Sequence, residues 1–171
     1  MSVATQISEE EYLRTSYSPE PEFRDGVLVE RGMPGVAHSN LQTGIGCYCR
    51  NREEEWNVHV YVELTIRARK GWLPIPDVCI YLPPEPEGNI ADRVPFLWIE
   101  IVSPSDKLSE VWDKAREAVA CGTQYVWTID PKSLDSDLWT ASGRTAIADR
   151  TLRIPDSPIV IPLDEVLKKK R

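Results

Sequence analysis

An apolar run of strand length with a carboxylate inside it, Phe96-Leu97-Trp98-Ile99-Glu100-Ile101-Val102, most narrows what this chain can become. A continuous apolar run is what a strand covered on both faces requires, and a charge in its middle is costly unless a partner or a cation answers it. A second such run, Leu73-Pro74-Ile75-Pro76-Asp77-Val78-Cys79-Ile80-Tyr81-Leu82, carries Asp77 where its strand begins. Either Asp77 and Glu100 converge on a hard divalent cation through oxygen ligands, or each is paired internally, as most buried charges are.

The segments around these runs predict a mixed α/β fold. Ser8-Glu9-Glu10-Glu11 has the capping-box spacing, so a short helix opens the chain and ends near Ser18-Pro19. Residues 22–30 read as two extended arms about the Asp25-Gly26 turn, a strong hairpin signal. From Val36 to about Glu54, Leu41, Ile45, Tyr48 and Cys49 recur at helical spacing. Residues 58–66 alternate, which predicts one strand with Val58, Val60, Val62, Leu64 and Ile66 on one face and His59, Tyr61, Glu63 and Thr65 on the other. Beyond the proline-rich connector at 83–89, Ser105 or Asp106 is placed to cap a helix that turns Leu108, Val111, Trp112, Ala115 and Val119 to the sheet and stops at Gly122. Residues 125–129 form another buried-type strand, 138–140 and 151–154 a final antiparallel meander, and 162–167 a short helix.

Composition sets the outer limits. With 171 residues, 42% of them hydrophobic, the chain suits one domain, residues 1–171, with a sizeable core. It shows neither a basic-then-apolar leader nor a run of about 18 apolar residues, so a soluble, cytoplasmic protein with no membrane partner is expected. Cys47, Cys49, Cys79 and Cys121 lack C-x-x-C spacing and are not grouped with His38 or His59, which predicts reduced thiols rather than a zinc site. A net charge of −7 argues against a broad phosphate-binding surface. Arg67, Arg69 and Lys70 are the best local cluster for a phosphate contact, with a solvated turn as the alternative, and Lys168 to Arg171 form a second basic run at a frayed end.

Pro76-Asp77, a hydrophobic strand with an internal Glu100 and a downstream Lys114 resemble the PD-(D/E)xK nuclease superfamily. The fuller pattern, Pro76-Asp77-Val78, then Ile99-Glu100-Ile101-Val102-Ser103-Pro104-Ser105-Asp106, then Gly122 and Trp127-Thr128-Ile129-Asp130-Pro131, resembles the Uma2 family of restriction-endonuclease-like proteins, from about Ser8 to Ile161. That likeness implies a restriction-endonuclease-like core, a central mixed sheet flanked by helices, with an N-terminal hairpin and a C-terminal meander added. It implies Mg²⁺ or Mn²⁺ held by Asp77, Glu100 and the Ile101 backbone carbonyl, with Glu63 as a candidate further ligand, and a lysine that stabilises the charge developing on phosphate. Most of the superfamily places this lysine two residues after the second acid, where this chain has Val102, whereas Uma2-like sequences often carry a basic residue on the next helix, where Lys114 stands. The other reading of Lys114 is a solvated lysine paired with Glu110 or Glu117. His38 matches a position that is commonly histidine, for contact with substrate phosphate or for a local hydrogen bond. Glu22 lies in the family's aromatic-Glu-x-x-Asp-Gly element, with Pro21 at the aromatic place, and faces either the metal or a salt bridge. The implied function is a metal-dependent DNA endonuclease, as a homodimer because cutting two strands needs two sites. The alternative is a catalytically inactive nuclease-like domain that binds a protein or nucleic-acid partner.

Overall fold

The computed structural model describes residues 6–168; residues 1–5 and 169–171, which hold the start of the chain and most of its terminal basic run, lie outside them. Helix α1 (Glu9–Arg14) begins where Ser8 Oγ accepts the Glu11 N–H at 3.0 Å, as the capping spacing predicts. Strands β1 (Glu22–Arg24) and β2 (Val27–Val29) form the expected hairpin, and its turn residues Asp25 and Gly26 take φ of 48° and 88°, the left-handed pair that Asp-Gly supplies at least cost. Then come α2 (Val36–Arg50), α3 (Glu53–Trp56), β3 (His59–Val62), β4 (Trp72–Leu73), β5 (Val78–Tyr81), β6 (Leu97–Ile101), α4 (Leu108–Ala120) and β7 (Tyr125–Ile129). The chain ends with β8 (Ser136–Thr140), β9 (Gly143–Ile147), β10 (Thr151–Arg153), β11 (Val160–Pro162) and α5 (Leu163–Val166).

A six-stranded mixed sheet, in the order β3-β5-β6-β7-β8-β9, forms the centre. Only β6 and β7 are parallel, and α4 is the crossover between them. Because side chains alternate across a strand, the buried residues sort onto two faces. Val78, Ile80, Leu97, Ile99, Trp127 and Ile129 pack on one side with Leu41 and Ile45 of α2 and with the ribbon made by β10 and β11. Cys79, Tyr81, Trp98, Val126 and Trp139 pack on the other with Ala115 and Ala118 of α4. The hairpin and β4 form a separate three-stranded sheet that carries Glu22. No helix among the described residues is long and apolar enough to cross a membrane, and all four cysteines are free thiols, with Cys49 and Cys79 buried.

Three expectations are corrected. The strand over 58–66 stops at Val62, because Glu63 takes φ of 52° and reverses the alternation. Val58 and Val60 therefore face the α2 side, Val62 is 49% exposed, and Leu64 and Ile66 pack on the α4 side. Leu108 is 48% exposed rather than buried against the sheet, and Asp106, instead of capping α4, accepts the Ser103 N–H at 2.7 Å while Lys107 holds the N-cap position. The meander is also split. β8 pairs with β9 at the sheet edge, whereas β10 pairs with β11 outside the main sheet.

Candidate active site

Antiparallel pairing of β5 with β6 sets Val78 opposite Ile99. Extending that register by one residue brings Asp77 opposite Glu100. Past the end of the ladder, Asp77 takes over the role of a backbone acceptor: its Oδ2 accepts the Ile101 N–H at 2.7 Å. This bond fixes a carboxylate that is only 5% exposed. Its other oxygen, Oδ1, has longer contacts, 3.3 Å to His38 Nε2, 3.4 Å to Gln42 Nε2 and 4.0 Å to Arg31 Nη2. His38 and Gln42 stand one turn apart on α2, so a single helix edge supplies both.

Glu100 shares its face of β6 with Trp98, two residues earlier, and Trp98 Nε1 donates to Glu100 Oε1 at 2.5 Å. The same oxygen lies 2.7 Å from the Lys114 ammonium, which reaches down from α4. Lys114 is also 2.6 Å from Glu22 Oε1, and Glu22 in turn accepts the Ile75 N–H at 3.0 Å. The ammonium thus bridges the main sheet to the hairpin sheet, and it lies 5.7 Å from the centre of the Trp98 ring. The solvated reading of Lys114 does not describe this lysine. Glu110 pairs with Lys107, and Glu117 pairs with Arg24 and Arg69.

Electrostatics follow from this crowding. Burial raises the Glu100 carboxyl to about 7; Lys114 opposes the rise, and the Asp77 and Glu22 charges add to it. For Lys114, burial favours the neutral amine, but Glu100 and Glu22 outweigh burial and raise the group above its ordinary value, so it remains an ammonium. His38 follows the same logic. Burial lowers it, and the hydrogen bond and charge of Asp77 raise it beyond that loss. Three carboxylates therefore lie close together, with the Lys114 ammonium between Glu100 and Glu22 and with His38 and Arg31 beside Asp77.

Such a donor set suits a hard divalent ion. Asp77 and Glu100 offer carboxylate oxygens, and the long contacts at Asp77 Oδ1 are weak enough to be exchanged. Among the described residues no three His, Cys, Asp or Glu side chains gather closely enough to hold a metal by themselves. Mg²⁺ commonly takes only one or two carboxylates and keeps several waters, so two acids and a carbonyl are enough. Ile101 meets Asp77 through its N–H, and its carbonyl is the ligand the sequence reading names. Glu63 stands beside Asp77 rather than Glu100. Its N–H donates to the Asp77 carbonyl at 3.3 Å, and its carboxylate contacts Gln42 at 3.2 Å and Arg31 at 3.4 Å.

The basic residues 67–70 are largely engaged by carboxylates of their own. Arg67 pairs with Glu9, and Arg69 pairs with Asp25 at 2.8 Å and with Glu117 at 2.9 Å, while Lys70 is exposed with no ion pair among the described residues. Gln42, Arg31 and Trp98 are site residues that sequence reasoning missed. Gln42 was legible as the residue one turn beyond His38, and Trp98 as the residue two before Glu100. Arg31 sits in a loop and gives no periodic signal.

A family model described as "Uma2: Putative restriction endonuclease" matches residues 9–162. The chain belongs to the Uma2 family. A crystal structure described as that of "a putative nuclease belonging to DUF820 from Anabaena variabilis ATCC 29413" superposes on this Uma2 chain with a TM-score of 0.76. The two are 21% identical, and the match covers 94% of this chain and 97% of the other, a likeness that speaks to the fold. No curated protein matches the chain.

Proposed function

We propose that this Uma2 chain is a metal-dependent endonuclease that hydrolyses phosphodiester bonds in DNA. One observation carries the reading. The Lys114 ammonium stands 2.7 Å from Glu100, on the face of the sheet where the usual strand lysine is replaced by Val102. A long flexible side chain from α4 can thereby take up the role that valine cannot.

Mg²⁺ or Mn²⁺ held by Asp77, Glu100 and the Ile101 carbonyl, with Glu63 at the margin, would supply Lewis-acid polarisation of the phosphate and water of lowered pKa. The chain's own groups do the rest. The Ile101 N–H holds Asp77 in one orientation, and the Trp98 indole holds Glu100. Lys114 presents fixed positive charge where negative charge develops on the attacked phosphate, which lowers the barrier because nothing has to reorganise. His38 contacts Asp77 at 3.3 Å and would help hold that carboxylate in place. Lys70 is exposed for a phosphate contact, whereas Arg67 and Arg69 would first exchange their carboxylate partners for it. We place the protein in the cytoplasm, where its thiols stay reduced, and acting as a homodimer because two strands need two sites.

The test is cleavage of supercoiled, linear and single-stranded DNA by the wild-type protein in Mg²⁺ and in Mn²⁺. Metal-dependent cutting of any of them supports the proposal. The alternative, a nuclease-like domain that only binds a partner, draws on Val102 and on the hold of Glu22 over Lys114. It is favoured if calorimetry shows no metal binding and no substrate is cut.

A further inference from the structure

Glu63 follows β3 with a φ of 52°, the left-handed region that a residue with a Cβ occupies only where its surroundings hold it. In that conformation its carboxylate lies 3.2 Å from Gln42 Nε2 and 3.4 Å from Arg31 Nη2. Arg31 arrives in the loop of residues 30–35, between β2 and α2, and that loop presses on the segment leaving β6. A Cβ at Gly32 would collide with Asp106 and Ser103, and one at Gly35 would meet Pro104 at 3.5 Å. Asp106 is fixed in turn by the Ser103 N–H at 2.7 Å. The loop that carries Arg31 to Asp77 is therefore seated on a firm surface.

The guanidinium itself is held loosely. Charge-assisted hydrogen bonds close to about 2.7–2.9 Å, whereas Arg31 stands 3.4 Å from Glu63 and 4.0 Å from Asp77 Oδ1, with its side chain 26% exposed. The Glu63 contact is the one hydrogen bond this guanidinium makes among the described residues, so most of its N–H donors are unengaged. The other cations nearby are committed. Lys114 is 2.6 Å from Glu22 and 2.7 Å from Glu100, and Arg69 is 2.8 Å from Asp25 and 2.9 Å from Glu117. His38 is buried against Asp77. Arg31 thus combines what the others lack: solvent access, donors to spare and a place beside an acid of the site.

We propose that Arg31 binds a phosphate of the DNA at the active site, its planar fork taking two phosphate oxygens in place of the long contact to Glu63. The inference rests on the nuclease reading for the identity of the ligand. It also answers the net charge of −7, since one cation placed at the point of reaction needs no broad basic surface around it.

The experiment compares wild type with Arg31→Ala and Arg31→Lys, and with Arg14→Ala, which removes the same charge from an exposed position paired with Glu10. Calorimetry reads Mg²⁺ affinity without DNA, fluorescence anisotropy reads the salt dependence of duplex binding with Ca²⁺ in place of Mg²⁺, and cleavage in Mg²⁺ gives KM and kcat. Arg31→Ala should bind the duplex about tenfold more weakly, the scale of a lost hydrogen bond to a charged group. Its slope of log affinity against log salt should be shallower by about 0.9, the share of one phosphate contact. Arg31→Lys should keep the wild-type slope and recover part of the affinity, because it keeps the charge and loses the fork. Arg14→Ala should match wild type in both. Cleavage by Arg31→Ala should lose in KM rather than in kcat, and its Mg²⁺ affinity should hold or rise, since a positive charge near Asp77 is gone.

Weaker Mg²⁺ binding by Arg31→Ala would make the residue a support for Asp77 and overturn the assignment. An unchanged salt slope with cleavage intact overturns it as well and keeps the nuclease reading. Duplex binding that depends on Arg31, with no cleavage in any metal, keeps the phosphate contact and removes the nuclease reading. A wild-type protein that neither binds nor cuts any duplex overturns both. Circular dichroism shows whether each variant is folded, and Arg31→Gln, which keeps a polar side chain, is read in place of an unfolded Arg31→Ala.

Discussion

Two charge clusters meet α4 within one turn of each other, through Lys114 and through Glu117, and they are balanced in opposite ways. Around Glu117, the cations Arg24 and Arg69 face the carboxylates of Glu117 and Asp25, so each charge has a partner. Around Lys114, one ammonium answers Glu22 and Glu100, with Asp77 close by and Arg31 only 4.0 Å from it, and burial, helped by the Asp77 and Glu22 charges, raises the Glu100 carboxyl to about 7. A matched cluster holds two sheets and a helix together and needs nothing further. An unmatched one keeps acid in a buried place where a passing cation would relieve it, which is the property that separates a site from a staple.

Substitutions at the two clusters should therefore behave differently. Lys114→Met strands two buried carboxylates and should destabilise the metal-free protein by about 3–5 kcal/mol above pH 7. The loss should shrink at pH 6, where Glu100 takes up a proton. Urea unfolding at the two pH values checks this, and an equal loss at both would show that Glu100 does not titrate as described.

Metal should sharpen the contrast next. Glu100 is raised in the folded state, so that state binds the extra proton between the ordinary value of 4.5 and about 7, and metal-free stability falls as pH rises through that window. A cation needs the ionised form, so its stabilising effect grows over the same range. At a metal concentration about 100 times the dissociation constant, the gain should be about 2.7 kcal/mol. Melting curves with Mg²⁺ or Mn²⁺ should thus show a larger shift at pH 8 than at pH 6. Asp77→Asn and Glu100→Gln should remove that shift, while Glu117→Gln should leave it intact.

The matched cluster gives the smallest effect. Arg69 is about one-third exposed, so Arg69→Ala should cost only about 0.5–1 kcal/mol, read by thermal melting, with no change in metal binding. A large loss of metal affinity in that variant would mean that the two clusters act as one.

How much of this was legible in the sequence follows from the range of each interaction. Asp77 and Glu100 announced themselves because a carboxylate inside an apolar run conflicts with its surroundings, and the family pattern added Lys114. The cap at Ser8 and the turn at Asp25-Gly26 are local chemistry and appear where predicted. Glu63 escaped because nothing about a glutamate in an alternating run signals a left-handed backbone, and that one dihedral moved Leu64 and Ile66 to the other face. Leu108 obeys the helical period yet stays half exposed in the first turn of α4, since the period says which side a residue faces but not how far it is covered. Glu22 was left open between metal and salt bridge, because its pairing with Lys114 spans 92 residues and no local pattern encodes such a contact.

The central claim is that Lys114, arriving from α4, completes the site in place of the missing strand lysine. Its most direct test is the single-turnover rate of Mn²⁺-dependent DNA cleavage by wild type and by Lys114→Met, at a temperature where both are folded and saturated with metal. The account predicts a loss of about 10²–10³-fold with metal affinity little changed, the scale expected when a preorganised charge stabiliser is removed. Cleavage by Lys114→Met at the wild-type rate would contradict it.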